Sequence, residues 1–296
     1  MSEPQTPQEV YRALQRQARR EGRGVQELFE FYLLERFLYR LSVSPYRNRF
    51  VLKGGLLLTV LGVRRPTRDA DVLARGIADD EQNLISVVGE ISCIPADDGI
   101  TFDASTVRSS VIREFAAYPG MRISVPATLG TARLQLRLDI NFGDPVGPQE
   151  IEYPTLLADE PIALLGYPVE AVIAEKVETM ISRGDANTRE RDYADVLALS
   201  KVHPVKAKGL RLALERTATH RGTALMPLSK ALDTLPTARQ RDWKAFLHRA
   251  DLKDMPDDFE EAVEQVARFV DPVLRADPAL SRWNPSTQQW ESNEQT

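Results

Sequence analysis

Phe50-Val51-Leu52-Lys53-Gly54-Gly55-Leu56-Leu57, followed by Asp69-Ala70-Asp71, is the stretch on which the fold turns. A short apolar strand, a glycine turn and an apolar helix ending near Gly62 make a strand–turn–helix unit, and residues 67–73 read as the next strand. Residues two apart on a strand share a face, so Asp69 and Asp71 are placed to share one divalent ion or to bridge two. Glycines opening a helix let backbone N–H groups approach phosphate oxygens with no Cβ in the way. Transfer of a nucleotidyl group from a triphosphate needs both features, because metal ions offset phosphate charge and activate the attacking oxygen.

Upstream, Thr6-Pro7-Gln8-Glu9 has the form of a helix start with a capping box. Val10, Leu14 and Ala18 make the apolar stripe of that helix, and Arg12, Arg16, Arg19, Arg20 and Arg23 fall on the other face. Residues 1–75 hold fourteen Lys and Arg against eight Asp and Glu, a local charge of +6 in a chain of −5. The arginine stripe is a candidate RNA-phosphate surface, although any surface helix needs a charged outer face. A second helix is predicted over 25–41, buried through Leu28, Phe31, Leu34, Phe37, Leu38 and Leu41.

Downstream, an acidic helix over 79–91 precedes a hairpin formed by 121–125 and 132–142. In its second strand Leu134, Leu136, Leu138, Ile140 and Phe142 alternate with Arg133, Gln135, Arg137, Asp139 and Asn141. Asp139 therefore lies on a polar face and completes a candidate metal triad with Asp69 and Asp71. Any one of these acids alone reads better as a solvent-facing residue of a half-exposed strand, and it is the three together with the glycine turn that favour a site. Beyond Tyr153-Pro154 helices are predicted over 169–183, 189–200, 206–217 and 257–270. The organisation read from this is a first domain over 1–160, a helical domain over 161–283 and a loose tail over 284–296.

Lys176 sits inside an apolar arc of Val169, Val172, Ile173, Val177 and Met180, where an ammonium either snorkels outward or needs a partner. Asp192 and Asp195 stand three apart on one face of the next helix, beside Val196 and Leu199. Lys176 and Arg191 are the cations available to them, making either a structural ion network or a catalytic base held by one. Cys93 is the sole cysteine, and with His203, His220 and His248 it makes neither a disulfide nor a convincing zinc site. The N-terminal residues lack the apolar core of a signal peptide, and the longest apolar run, Leu56 to Val63, is too short for a bilayer. The expected setting is the cytoplasm, with no membrane association.

In order along the chain, Leu38-Tyr39-Arg40-Leu41, Phe50 to Gly55, Arg68-Asp69-Ala70-Asp71, Leu138-Asp139-Ile140-Asn141-Phe142-Gly143-Asp144-Pro145, Lys176 and Arg191-Asp192-Tyr193-Ala194-Asp195 resemble the AbiEii-like, MenT-type nucleotidyltransferase toxins of bacterial toxin–antitoxin systems. The resemblance implies an α+β fold: a DNA polymerase β-like nucleotidyltransferase domain with a small mixed sheet, followed by a helical C-terminal domain. It implies transfer of nucleotides from a nucleoside triphosphate to the 3′ acceptor end of tRNA, blocking translation, and a separately encoded antitoxin. By position, Asp69 and Asp71 would bind magnesium, or manganese in its place, with Asp139 as a third ligand. Lys53, Gly54, Gly55, Arg68 and Lys176 would bind the nucleotide, Asp192 would be the catalytic acidic residue of the helical half, and Arg191 and Asp195 would support it. The run Gly54-Gly55-Leu56-Leu57 departs from the many relatives with serine at or just beyond the second position, which removes a hydroxyl able to meet phosphate. The alternatives are a protein or small-molecule acceptor, and a catalytically inactive binding partner with the same fold.

Overall fold

The computed structural model describes residues 6–63, 67–112, 120–232 and 234–292. Two compact units result, one of Met1–Val60, Arg64–Asp144 and Pro148–Tyr167, the other of Leu61–Val63, Pro145–Gly147 and Pro168–Thr296.

The first unit opens with α1 (Pro7–Glu21) and α2 (Val25–Ser42). The capping box forms as predicted: Thr6 Oγ1 accepts from the Glu9 amide, and the Thr6 amide donates to Glu9 Oε2 at 2.9 Å. Then follow β1 (Phe50–Lys53), α3 (Gly54–Val60), β2 (Ala70–Ala74), α4 (Glu81–Ser92), β3 (Ile100–Phe102), β4 (Arg108–Ile112), β5 (Gly120–Leu129), β6 (Ala132–Phe142), β7 (Gln149–Tyr153) and β8 (Ile162–Gly166). The strands form one mixed sheet in the order β3-β5-β6-β2-β1-β8-β7, with β4 also on β5. β2 runs parallel to β6 and antiparallel to β1, so the centre of the sheet joins the glycine turn to the alternating strand. One face of β5 and β6 is buried through Ile123, Val125, Leu134, Leu136, Leu138 and Ile140, each side chain of this size contributing about 1.5–3 kcal/mol.

One boundary differs from expectation in a way that matters. The strand expected from 67 begins only at Ala70, because Thr67 Oγ1 donates to the Asp69 carbonyl and lies 3.1 Å from its Oδ1, fixing a local bend ahead of the ladder. Asp69 therefore precedes the strand, and its neighbourhood to Asp71 is set by that bend and not by the two-residue pleat.

α2 is buried as predicted, but it also carries charges into the core. Arg40 makes a two-pronged pair with Asp98 at 2.6 and 3.1 Å and donates to the Ile94 carbonyl. Glu35, 1% exposed, accepts from the Leu156 amide at 2.6 Å and from Arg36. Burial pushes the Glu35 carboxyl up to about 7 against the opposing pull of Arg36.

The second unit holds α5 (Val169–Arg183), α6 (Glu190–Val202), α7 (Ala207–Arg221), α8 (Leu228–Ala231), α9 (Leu235–Ala250) and α10 (Phe259–Leu274), then β9 (Leu280–Asn284) and β10 (Gln289–Ser292). Four helices match the predicted periodicity; α8 and α9 were not foreseen. In α9 only Leu235, Trp243 and Leu247 are buried, too sparse a stripe to read as a period. Trp243 stacks on Phe259 at 5.0 Å, and Tyr193 meets the same ring edge-on at 5.1 Å. Of the loose tail expected over 284–296, the described residues through Ser292 belong to a hairpin, held because Trp283 and Trp290 close on Phe269 at 4.7 and 5.7 Å, and residues 293–296 lie outside the described residues. Among the described residues no helix is long and apolar enough to cross a membrane.

Candidate active site

In the first unit strand register lines up four charged residues across the sheet. Lys53 on β1 is opposite Asp71 on β2, Asp71 is opposite Asp139 on β6, and Asp139 is opposite Arg122 on β5. Directly paired residues share a face, so the row reads cation, acid, acid, cation. Arg122 closes on Asp139 with two parallel bonds of 2.7 Å and lies 3.6 Å from Asp69. Donating these hydrogen bonds to the Asp139 carboxylate raises the guanidinium pKa further and keeps it charged.

Gly54 and Gly55 serve this row sterically. Gly54 has φ +62°, and a Cβ on it would stand 1.9 Å from Asp71 Oδ2; one on Gly55 would stand 2.8 Å from Thr67 Oγ1. The space left by the missing side chains is occupied by the acid-bearing segment itself. Lys53 is buried, its ammonium 2.8 Å from Asp144 Oδ2 and 5.0 Å over the Tyr167 ring. Tyr167 donates its hydroxyl to the same Asp144 oxygen at 2.7 Å. Arg68 is largely exposed, 3.3 Å from Glu30.

The donor set suits a hard cation. Asp69 and Asp71 offer oxygen ligands, Gly54 gives the Asp71 carboxylate its room, and magnesium is commonly held by one or two carboxylates plus substrate phosphates. Among the described residues, no group of three or more His, Cys, Asp or Glu is gathered to hold a metal. Asp139 is turned to Arg122 with both oxygens, so its expected place as a third ligand requires that pair to open.

The second unit contains a separate cluster. Lys176 Nζ donates to Asp192 Oδ1 at 2.9 Å and to Asp195 Oδ2 at 2.7 Å, joining α5 to α6. The predicted ion network is thus present, with one change of partner. Arg189, not Arg191, approaches Asp192 at 3.0 Å, while Arg191 adds only longer-range charge. Burial raises the Asp192 carboxyl, but Lys176, Arg189 and Arg191 outweigh it and hold the group below its ordinary value.

On α1, Arg12, Arg16, Arg19 and Arg20 are exposed as expected. Arg23 leaves the stripe: it pairs with Glu21 and Glu27, with its guanidinium 5.0 Å over Phe31. Sequence reasoning missed Arg122, Thr67 and Tyr167, and it took Asp144 only as a motif residue. The signal for Arg122 was its even position on the polar side of the hairpin, opposite Asp139 once the register is known.

The sequence model of the family described as nucleotidyl transferase AbiEii toxin, Type IV TA system, matches residues 36–265. No curated protein matches in sequence. Among solved structures, a candidate nucleotidyltransferase from H. pylori is 17% identical with TM-score 0.48, covering 85% of this chain and 97% of that one. JHP933 from Helicobacter pylori is 16% identical with TM-score 0.48, covering 85% and 94%. With the family match spanning most of the chain, this protein is a nucleotidyltransferase. It belongs to the AbiEii toxins of Type IV toxin–antitoxin systems, whose activity takes a nucleoside triphosphate and whose genetic partner is an antitoxin.

Proposed function

We propose that this enzyme transfers nucleotides from a nucleoside triphosphate to the 3′ end of tRNA, in a magnesium-dependent reaction of the MenT type that blocks translation in the cytoplasm. The observation that carries the reading is the row Lys53, Asp71, Asp139, Arg122, with Asp69 at its side. A glycine turn feeding an acid-bearing strand at the centre of a mixed sheet supports placing the first unit with the DNA polymerase β-like nucleotidyltransferases.

In the reaction, the acceptor 3′ oxygen bonds to the α-phosphorus, the bond from that phosphorus to the bridging oxygen breaks, pyrophosphate leaves with that bond's electron pair and the hydroxyl proton passes to solvent water. Magnesium, when bound by Asp69 and Asp71, supplies charge neutralisation of the phosphates. Arg122 holds Asp139 in place and brings a permanent positive charge beside the two acids. Asp144 and Tyr167 fix the Lys53 ammonium in the same row. Arg68, exposed in the bend before β2, is assigned to the nucleotide. The assignments of Lys176 to the triphosphate, Asp192 as the catalytic acidic residue and Arg191 and Asp195 to its support rest on the family resemblance; the depressed pKa keeps Asp192 a carboxylate, the form that serves as a base or a charged ligand and not as a proton donor.

The test is incubation with each labelled nucleoside triphosphate and total RNA, with and without magnesium. Label should enter RNA of tRNA size only with the metal. Label in protein, in a small molecule or nowhere contradicts the proposal.

A further inference from the structure

We propose that the open face of β4, β5 and β6 is the track along which the enzyme holds the phosphate backbone of its RNA acceptor, with Arg108, Arg133 and Arg137 as the phosphate contacts. The inference rests on the RNA-acceptor reading above and adds the surface that serves it. The ladder fixes which residues share this face. Arg137 is opposite Ser124, and Ser124 is opposite Arg108; Gln135 is opposite Pro126; Arg133 is opposite Thr128. One step along the strands, the same face carries Asp139, Arg122 and Ser110. The reverse face is the buried one, so these residues form the solvent side of an antiparallel sheet.

A solvent face needs polar groups, but it does not need one sign of charge. Here the three strands carry Arg108, Arg122, Arg133 and Arg137 and a single acid, Asp139. That acid is already neutralised by Arg122 at the end of the face nearest Asp71. Arg108 and Arg133 are exposed and Arg137 half-buried, and none of the three has an acidic partner within ion-pair distance among the described residues. Uncompensated arginines on one sheet face repel one another, a cost that a bound polyanion removes. Among them lie Ser124, Thr128 and Gln135, hydrogen-bonding groups that carry no opposing charge.

The dimensions suit a nucleic-acid strand. Arg137 and Arg133 are four residues apart on β6, about 13 Å, and Arg108 is two strands from Arg137, about 10 Å. From Asp139 to Arg133 the face runs about 20 Å, the length of roughly six stacked nucleotides at ~3.4 Å each. The track therefore begins at the proposed reacting centre and leads away from it with positive charge only. An acceptor with its 3′ end at Asp69 and Asp71 would lay its preceding phosphates on these arginines, which position the strand without reading its bases.

The experiment compares the full chain with R108Q/R133Q/R137Q and with R108K/R133K/R137K. It measures affinity for a labelled tRNA transcript over a salt series, affinity for a fluorescent nucleoside triphosphate, melting temperature and label transfer. The glutamine triple should bind the transcript about tenfold or more weakly at ~0.1 M salt, with the log–log salt slope reduced by about 2, since each lost phosphate contact removes ~0.7. Its triphosphate affinity and melting temperature should match wild type, and the lysine triple should stay within about threefold in RNA affinity because a point charge still meets phosphate. Unchanged RNA affinity and slope in the glutamine triple, while wild type still labels RNA, overturns the track and leaves the RNA reading standing. An equal loss of triphosphate affinity reassigns the arginines to the nucleotide and also overturns it. Wild-type enzyme that labels protein and not RNA overturns both.

Discussion

Asp71 lies so close to Gly54 that a Cβ on the glycine would stand 1.9 Å from its Oδ2. The backbone there is also left-handed, φ +62°, where an L side chain costs about 1–2 kcal/mol. Gly54→Ala should displace the Asp71 carboxylate and reduce nucleotide transfer by about 100-fold or more, a loss larger than the strain alone would produce in a merely structural turn. Steady-state transfer rates beside a melting curve check this. Near wild-type transfer by the alanine variant would separate Asp71 from the reaction.

The Lys176 cluster should behave as a buried ion network. Removing one member leaves charge uncompensated, so Lys176→Met, despite keeping most of the packing volume, should destabilise by about 3–5 kcal/mol. Replacing all three as K176M/D192N/D195N should recover much of that stability without recovering transfer. Urea denaturation with parallel transfer assays reads both. A fully active triple variant would confine the cluster to a structural role.

Glu35 makes stability depend on pH. Its folded-state pKa, raised to about 7 mainly by burial, means the folded protein keeps a proton that the unfolded chain loses near 4.5. The stability it confers is therefore present below pH 4.5 and is lost as pH rises through 7, by roughly 3 kcal/mol in total. Asp192, held below its ordinary 3.8, titrates outside this window. Urea melts of wild type and Glu35→Gln between pH 5 and 8 should converge at the acid end and separate toward pH 8, with the glutamine variant flatter. Parallel curves would contradict the assignment.

The α1 arginines are a second, weaker candidate for polyanion contact. Arg12, Arg16, Arg19 and Arg20 are exposed, whereas Arg23 is committed to Glu21 and Glu27. The quadruple R12Q/R16Q/R19Q/R20Q should lower RNA affinity by about threefold to tenfold and reduce the salt slope, with triphosphate affinity unchanged. A salt slope identical to wild type would leave the stripe as the solvated face of a surface helix.

What the sequence disclosed and what it hid divide along physical lines. The capping box at Thr6 and Glu9 and the alternation along β6 were legible because both are local patterns. Lys176 was legible because acids on a packing face require a cation, although the choice of Arg189 over Arg191 depended on how α6 begins. The Arg122–Asp139 pair was hidden because it depends on strand register, and the displacement of Asp69 from β2 because a threonine side chain competes with the ladder. Glu35 and Arg40 were hidden for a different reason. Their partners, Leu156 and Asp98, are distant in sequence, and no periodicity marks a buried charge whose partner is remote.

The most direct test of the central claim uses one acceptor in two chemical forms. Labelled nucleoside triphosphate is supplied with magnesium to wild type, Asp69→Asn and Asp71→Asn, together with tRNA whose 3′ end is intact or periodate-oxidised. The account predicts label on intact tRNA with wild type alone, none on the oxidised acceptor, and melting temperatures for the two variants within a few degrees of wild type, because Asp69 and Asp71 are not core groups. Label on oxidised tRNA, or transfer at near wild-type rate by a folded Asp71→Asn variant, would contradict it.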